Sequence, residues 1–213
     1  MSFHTNPRLL AFVPTAVFAG LTAIIAIVPA LQMNARYPVA EDARPMPAAA
    51  LRGRAVYVSF GCSYCHTQQV RSDSRLPTDL FGRYPVLDQD TRYGRASRPE
   101  DYSADDPPLL GTERVGPDLS NVWDRMPSDD WHYAHLYDPR ILVAASIMAP
   151  FPFLFRTKAD HGQSDRKIVI PDALREKLEP DSSKRGAVEV WATPRAQDLI
   201  EYLKTMKIGS RSP

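Results

Sequence analysis

The pattern of apolar and polar positions divides the chain into three parts. From Leu9 to Leu31, 23 consecutive positions carry no charge and are dominated by Leu, Ile, Val, Ala and Phe. As a helix this run would extend about 35 Å, enough to cross a hydrocarbon core of about 30 Å. Pro14 in its second turn and Pro29 near its end are placed where a spanning helix tolerates them. The stretch from Tyr37 to Pro47 holds three prolines and mixed charge, and reads as a linker. Ala48 to Phe60 then reads as a helix in which Val56 and Phe60 share a face. At the far end, Thr193 and Pro194 form a helix-start signal, with the threonine as N-cap and the proline at the first helical position. Leu199, Ile200, Tyr202, Leu203 and Met206 follow at a 3.6-residue period. Gly53 has no side chain, so the closing helix can cross the first one closely there. Lys158 to Ala192 is charged, with a short apolar run at Ile168 to Ile170 and a short helix expected near Asp172 to Leu178. It reads as surface decoration or a partner-facing flap.

Composition changes this picture little. A chain of 213 residues fits one domain with additions. The formal net charge of +1 gives no field that would draw nucleic acid. The high count of 20 prolines predicts a loop-rich domain with few long elements.

The chemistry lies in Cys62-Ser63-Tyr64-Cys65-His66, which contains both cysteines of the chain. C-x-x-C followed at once by histidine reads as a c-type haem attachment site. Two thiols at that spacing can add across the two vinyl groups of one haem, and the adjacent histidine can ligate the iron. Three other readings compete. A thioredoxin-like motif needs a βαβ context that the flanking residues do not suggest. A zinc site would draw on Cys62, Cys65, His132 and His135, with a long gap and a short H-x-x-H spacing. A disulfide between such close cysteines would close a small loop and contribute little.

The order of helix, C-x-x-C-H, long middle and closing helix resembles the class I cytochrome c fold. The fold class expected is therefore mainly α, a class I cytochrome c fold with an amino-terminal transmembrane helix. Residues 1–36 would form the anchor, 37–47 the linker and 48–213 the cytochrome c domain with one covalent haem c. The apolar run exceeds a signal-peptide core and no clear A-x-A site follows it, so an uncleaved anchor is expected. Arg8 precedes the run, whereas Arg36, Arg44 and Arg52 follow it. Counting positive charges alone would put the domain in the cytoplasm, but that rule weakens for long translocated domains. Haem attachment outside the cytoplasm decides the orientation: a single-pass protein of a bacterial inner membrane, with the haem domain on the periplasmic face.

The chain also resembles the membrane-anchored mono-haem cytochrome c subunit of cbb3-type cytochrome c oxidases. The resemblance rests on GCSYCHTQQVR at 61–71, RYG at 92–94, RVGPDL at 114–119, WHYAHLYDPR at 131–140, SIMAPFPFLF at 146–155 and DLIEYLKTM at 198–206. The W-H-x-x-H-L and S-I-M blocks, in this order, carry most of the specificity. The stretch 72–91 is longer than the family pattern. Trp123 and Ala149 stand where glycine and proline are expected, which marks a divergent member. The resemblance implies His66 as proximal iron ligand and Met148 as distal ligand. Met126, His132 and His135 are the other candidates for the distal position, and the two histidines can equally serve packing and hydrogen bonding. A carbonyl of Pro117 would accept the ring N–H of His66. Arg92, Trp131 and Arg140 are candidate donors to the haem propionates. Tyr64, Tyr93 and the group Phe151, Phe153 and Phe155 are expected to pack near the haem.

The function implied is electron transfer, with no catalysis by this chain alone. Its partners would be a donor cytochrome, the haem-copper core subunit and, where the complex has one, a further cytochrome c subunit, all at the membrane and without nucleic acid. The alternatives are a membrane-anchored shuttle cytochrome, the cytochrome subunit of a related nitric oxide reductase, and a cytochrome doing chemistry at an open iron position. An iron with both axial positions filled argues against the last.

Overall fold

A computed structural model of the chain describes residues 6–38, 45–71, 93, 95–103, 105–157, 159–168 and 190–208. The expected helix at 172–178 and the long stretch 72–91 lie outside the described residues. The described part is mostly helical.

The apolar run forms one helix, α1 (Pro7–Arg36), of 30 residues, with a mean hydropathy of 2.3 in its most apolar window and no buried residue. At 1.5 Å per residue it extends about 45 Å. Asn6 caps it, its side chain accepting from the backbone of Arg8 at 3.0 Å and Leu9 at 3.4 Å. Pro14 sits inside the helix. The turn Ala23–Ile27 widens to a π-turn, in which Val28 N–H reaches back to the Ala23 carbonyl. Pro29 follows directly. A proline ring clashes with the carbonyl four residues before it, and a widened turn relieves that crowding. Apolar side chains surround this helix, as on a segment that meets lipid rather than a protein core.

Helix α2 (Ala48–Ser59) and the closing helix, numbered α7 below (Pro194–Lys204), form the main crossing. Gly53 is the point of contact. A Cβ built on it would overlap the Asp198 carbonyl oxygen and lie 2.9 Å from Tyr202 Cβ. Arg52 bonds the Asp198 carboxylate through two nitrogens, at 2.8 and 2.7 Å. Tyr57 meets Tyr202 edge to face at 5.3 Å. The Thr193 N-cap is as the spacing predicts, with its hydroxyl accepting from Ala196 N–H and donating to the Leu154 carbonyl at 2.8 Å. Gly53→Ala should cost about 3 kcal/mol through overpacking, and thermal denaturation should show the melting point falling by roughly 10 °C. An unchanged melting point would show that the two helices separate there without cost.

Between the crossing helices lie the single turn α3 (Cys62–Cys65), the short α4 (Val122–Arg125), α5 (Asp129–Tyr137) and the short α6 (Pro139–Leu142). Strands β1 (Phe155–Thr157), β2 (Arg166–Ile168) and β3 (Val190–Ala192) make an antiparallel sheet in the order β1-β3-β2. Phe155 and Arg166 both pair with Ala192. Most of the stretch 158–192, expected as surface decoration or a partner-facing flap, lies outside the described residues. Within it, 159–167 are mostly exposed, whereas β2 and β3 place Ile168, Val190, Trp191 and Ala192 in buried positions. Asp129 at the start of α5 joins the layers, taking Arg166 of β2 at 2.5 Å and Lys204 of α7 at 2.9 Å. Burial pushes its carboxyl pKa up, but the hydrogen bonds from Lys204 and Arg166 outweigh this and leave it below the ordinary value.

Candidate haem site

Helix α2 runs directly into the cysteine motif. Phe60 N–H bonds the Val56 carbonyl at 3.1 Å and Gly61 N–H bonds Val58 at 3.0 Å, closing the helix. Gly61 has φ +68°, the left-handed conformation that glycine adopts most readily at a helix end. The chain then makes the single turn Cys62–Cys65, which His66 N–H closes on the Cys62 carbonyl at 3.0 Å. Residues three apart in such a turn face the same side. Both thiols are free, Cys62 half-buried and Cys65 exposed. Burial pushes the Cys62 thiol up to about 11, which keeps it protonated.

The stretch 110–119 wraps this motif through its backbone. Thr112 N–H bonds Ser63 at 3.1 Å, Gly116 N–H bonds Cys65 at 2.8 Å and Leu119 N–H bonds Thr67 at 2.8 Å. Gly116 lies flat against the histidine. A Cβ there would overlap His66 Cε1 and lie 2.8 Å from Nδ1. The Pro117 carbonyl lies 2.8 Å from His66 Nδ1. A carbonyl can only accept, so Nδ1 carries the proton and Nε2 keeps its lone pair. Burial lowers the pKa of His66, which also favours the neutral ring.

Phe60, Phe151 and Phe153 form an aromatic group next to the motif, with ring centroids 5.0 to 5.9 Å apart. Phe153 is 61% exposed and Tyr64 is 70% exposed. The expected phenylalanine trio is divided, because Phe155 belongs to β1 and packs on Tyr137 at 5.4 Å. Tyr93 lies under Arg125, whose guanidinium is 4.2 Å from the ring centre.

The other candidates occupy different settings. Met148 is half-buried against the core, and its N–H bonds Ser146 Oγ at 3.3 Å. His132 is held by packing: Nε2 lies 2.9 Å from the Met126 carbonyl, and the ring stacks on Trp123 at 5.4 Å. Burial lowers its pKa to about 4. His135 stacks on Trp131 at 4.7 Å. Its Nδ1 is buried without a hydrogen-bond partner. Burial and then the neighbouring His66 lower its pKa to about 4. Nothing in the H-x-x-H spacing signalled that unpartnered nitrogen. Arg140 is 51% exposed at its side chain and lies 3.7 Å from Asp138. Arg92 lies outside the described residues.

The competing readings of the cysteines find no support. Among the described residues no three His, Cys, Asp or Glu side chains gather as a metal site. The motif follows a helix, and the three described strands are antiparallel and come later in the chain.

A long apolar helix joined to a mostly helical domain, with the C-x-x-C-H turn held from beneath, defines a haem-carrying membrane subunit of electron transport. The family model of the cytochrome c oxidase mono-haem subunit, FixO, matches residues 2–209, and the chain belongs to that family. A search of curated proteins finds no match. Family membership makes the chain a haem-bearing subunit of a cytochrome c oxidase complex, which has a catalytic partner subunit.

Proposed function

We propose that this chain is the electron-transfer subunit of a cbb3-type oxidase, carrying one covalent haem c in a class I cytochrome c domain over 48–213. The observation that carries the reading is the seating of His66: its Nδ1 proton is committed to Pro117, Gly116 supports the ring, and Nε2 keeps a free lone pair.

The residues present fit a haem. Two free thiols and the imidazole stand in one turn. Three phenylalanines form an apolar group beside them, and a buried, unpartnered His135 nitrogen suits a polar edge such as a propionate. Cys62 and Cys65 would form the thioethers, and His66 and Met148 would hold the iron. Trp131, Arg140 and Arg92 are the proposed partners of the propionates. When bound, the haem would supply a one-electron couple, and the Met148 sulfur would raise its potential by favouring ferrous iron. The protein fixes the tautomer of His66 and keeps apolar groups around the site.

Residues 1–36 anchor the chain and 37–47 link it to the domain, which lies on the periplasmic face. Electrons arrive from a donor cytochrome and leave to the haem-copper core. With His66 and Met148 holding the iron, no open position would remain for oxygen, and oxygen reduction would belong to the core subunit. Purification of the intact complex tests this. Denaturing electrophoresis should show a haem-staining band near 23.9 kDa together with a large membrane subunit. Haem that acid-acetone extracts from this band would overturn covalent attachment. The chain recovered free of any large subunit would favour the shuttle reading instead.

A further inference from the structure

Asp118 follows Pro117 in the chain, is 2% exposed and accepts hydrogen bonds through both carboxylate oxygens. One oxygen, Oδ2, accepts from the Thr67 hydroxyl and from Gln69 N–H at 2.8 Å. The other, Oδ1, accepts from Ser120 N–H at 2.8 Å. Arg114 stands 3.4 Å from Oδ2, with Nε donating to Thr67 Oγ1 at 2.8 Å and NH2 to the Gln69 carbonyl at 2.5 Å. Thr67 follows His66 and Asp118 follows Pro117. The Thr67–Asp118 bond therefore ties together the residues immediately after the two ends of the His66–Pro117 hydrogen bond. The backbone bonds Gly116 to Cys65 and Leu119 to Thr67 flank it. Three donors to one carboxylate, and an arginine that holds both Thr67 and Gln69, leave this segment little freedom to slide. The buried Asp118 carboxylate also puts a negative charge behind the imidazole, set against the guanidiniums of Arg114 and of Arg125, which donates to the Asp118 backbone carbonyl at 2.6 Å.

We propose that Asp118 is a positioning residue that, through Thr67, holds His66 against the Pro117 carbonyl and thereby sets the electron-donating strength of His66 toward iron. The inference rests on the haem reading above. A firm Nδ1–H···O=C bond raises the basicity of the ligand and favours ferric iron. Loosening the clamp, or removing its charge, therefore shifts the reduction potential upward.

The test uses the full chain with its attached haem in detergent. Two quantities are measured: the reduction potential by equilibrium titration, and the exchange rate of the His66 Nδ1 proton by nuclear magnetic resonance of the reduced form. Asp118→Asn should raise the potential and speed proton exchange more than tenfold. Thr67→Val, which removes only the hydroxyl, should move both in the same direction by less, and Thr67→Ser should restore parental values. If Asp118→Asn fails to fold, the threonine pair decides. A potential and exchange rate unchanged in Asp118→Asn and Thr67→Val, with haem still attached, would overturn the inference and leave the haem reading intact. Lower melting points with an unmoved potential would overturn it too, because Asp118 would then serve the fold alone. A parent chain that carries no haem would bring down both.

Discussion

Replacing Cys62 and Cys65 together by alanine should yield a chain with no covalently bound haem and a cytochrome domain that does not accumulate. These are the only cysteines in the sequence, so no other thiol can substitute. The turn Cys62–Cys65 is only four residues long and depends on the backbone of 110–119 for much of its support. The aromatic group of Phe60, Phe151 and Phe153 would lose the apolar partner that the proposed haem would provide. Haem staining of membranes and an antibody against the chain measure the two effects separately. Single replacements should be milder, because one thioether and His66 remain. Wild-type staining in the double variant would refute attachment at these residues.

The second large effect concerns the iron. Met148→Ala should keep the haem attached but abolish the long-wavelength absorption of sulfur-ligated ferric iron. Open or substituted iron should follow, with water or another side chain in the sixth position. Met148 lies 82 positions beyond His66, far enough for the chain to pass around the haem to its other face. Pro150 and Pro152 stiffen the return, and Ser146 Oγ holds the Met148 backbone. Met148→His should stay low-spin at a lower potential, because imidazole favours ferric iron more than thioether does. Met126→Ala should change none of these properties. Its carbonyl, not its side chain, receives His132, and alanine keeps that carbonyl. If instead Met126→Ala lost the band and Met148→Ala kept it, the distal assignment would be wrong.

What the sequence made legible was what depends on local pattern. The uncharged run from Leu9 became the long helix, and Thr193-Pro194 became a capped helix start, because each signal is complete within a few residues. Gly53 was readable as a crossing point because a missing side chain within a helix permits close approach. The three-residue strands were not readable. Arg166-Lys167-Ile168 is too short and too charged to display alternation, and its pairing with Val190–Ala192 spans a long gap in the chain. The π-turn before Pro29 and the clamp at Asp118 were hidden for a related reason. Pro29 signals strain in the helix but not how the backbone relieves it, and the clamp depends on where distant groups meet. His132 and His135 looked equivalent by spacing, yet one is bonded to a carbonyl and the other keeps a buried nitrogen unpartnered.

In the proposed function, electrons reach the catalytic core through the haem of this chain. Mixing the fully reduced intact oxidase with oxygen in a stopped-flow spectrometer, and following the c-type absorbance of this subunit, tests it most directly. The spectrum of the Met148→Ala complex identifies which absorbance belongs to this chain. The expected result is that this haem oxidises at least as fast as the enzyme turns over, and that the Met148→Ala complex slows in proportion to its altered potential. A haem that remains reduced while oxygen is consumed at the full rate would contradict the claim.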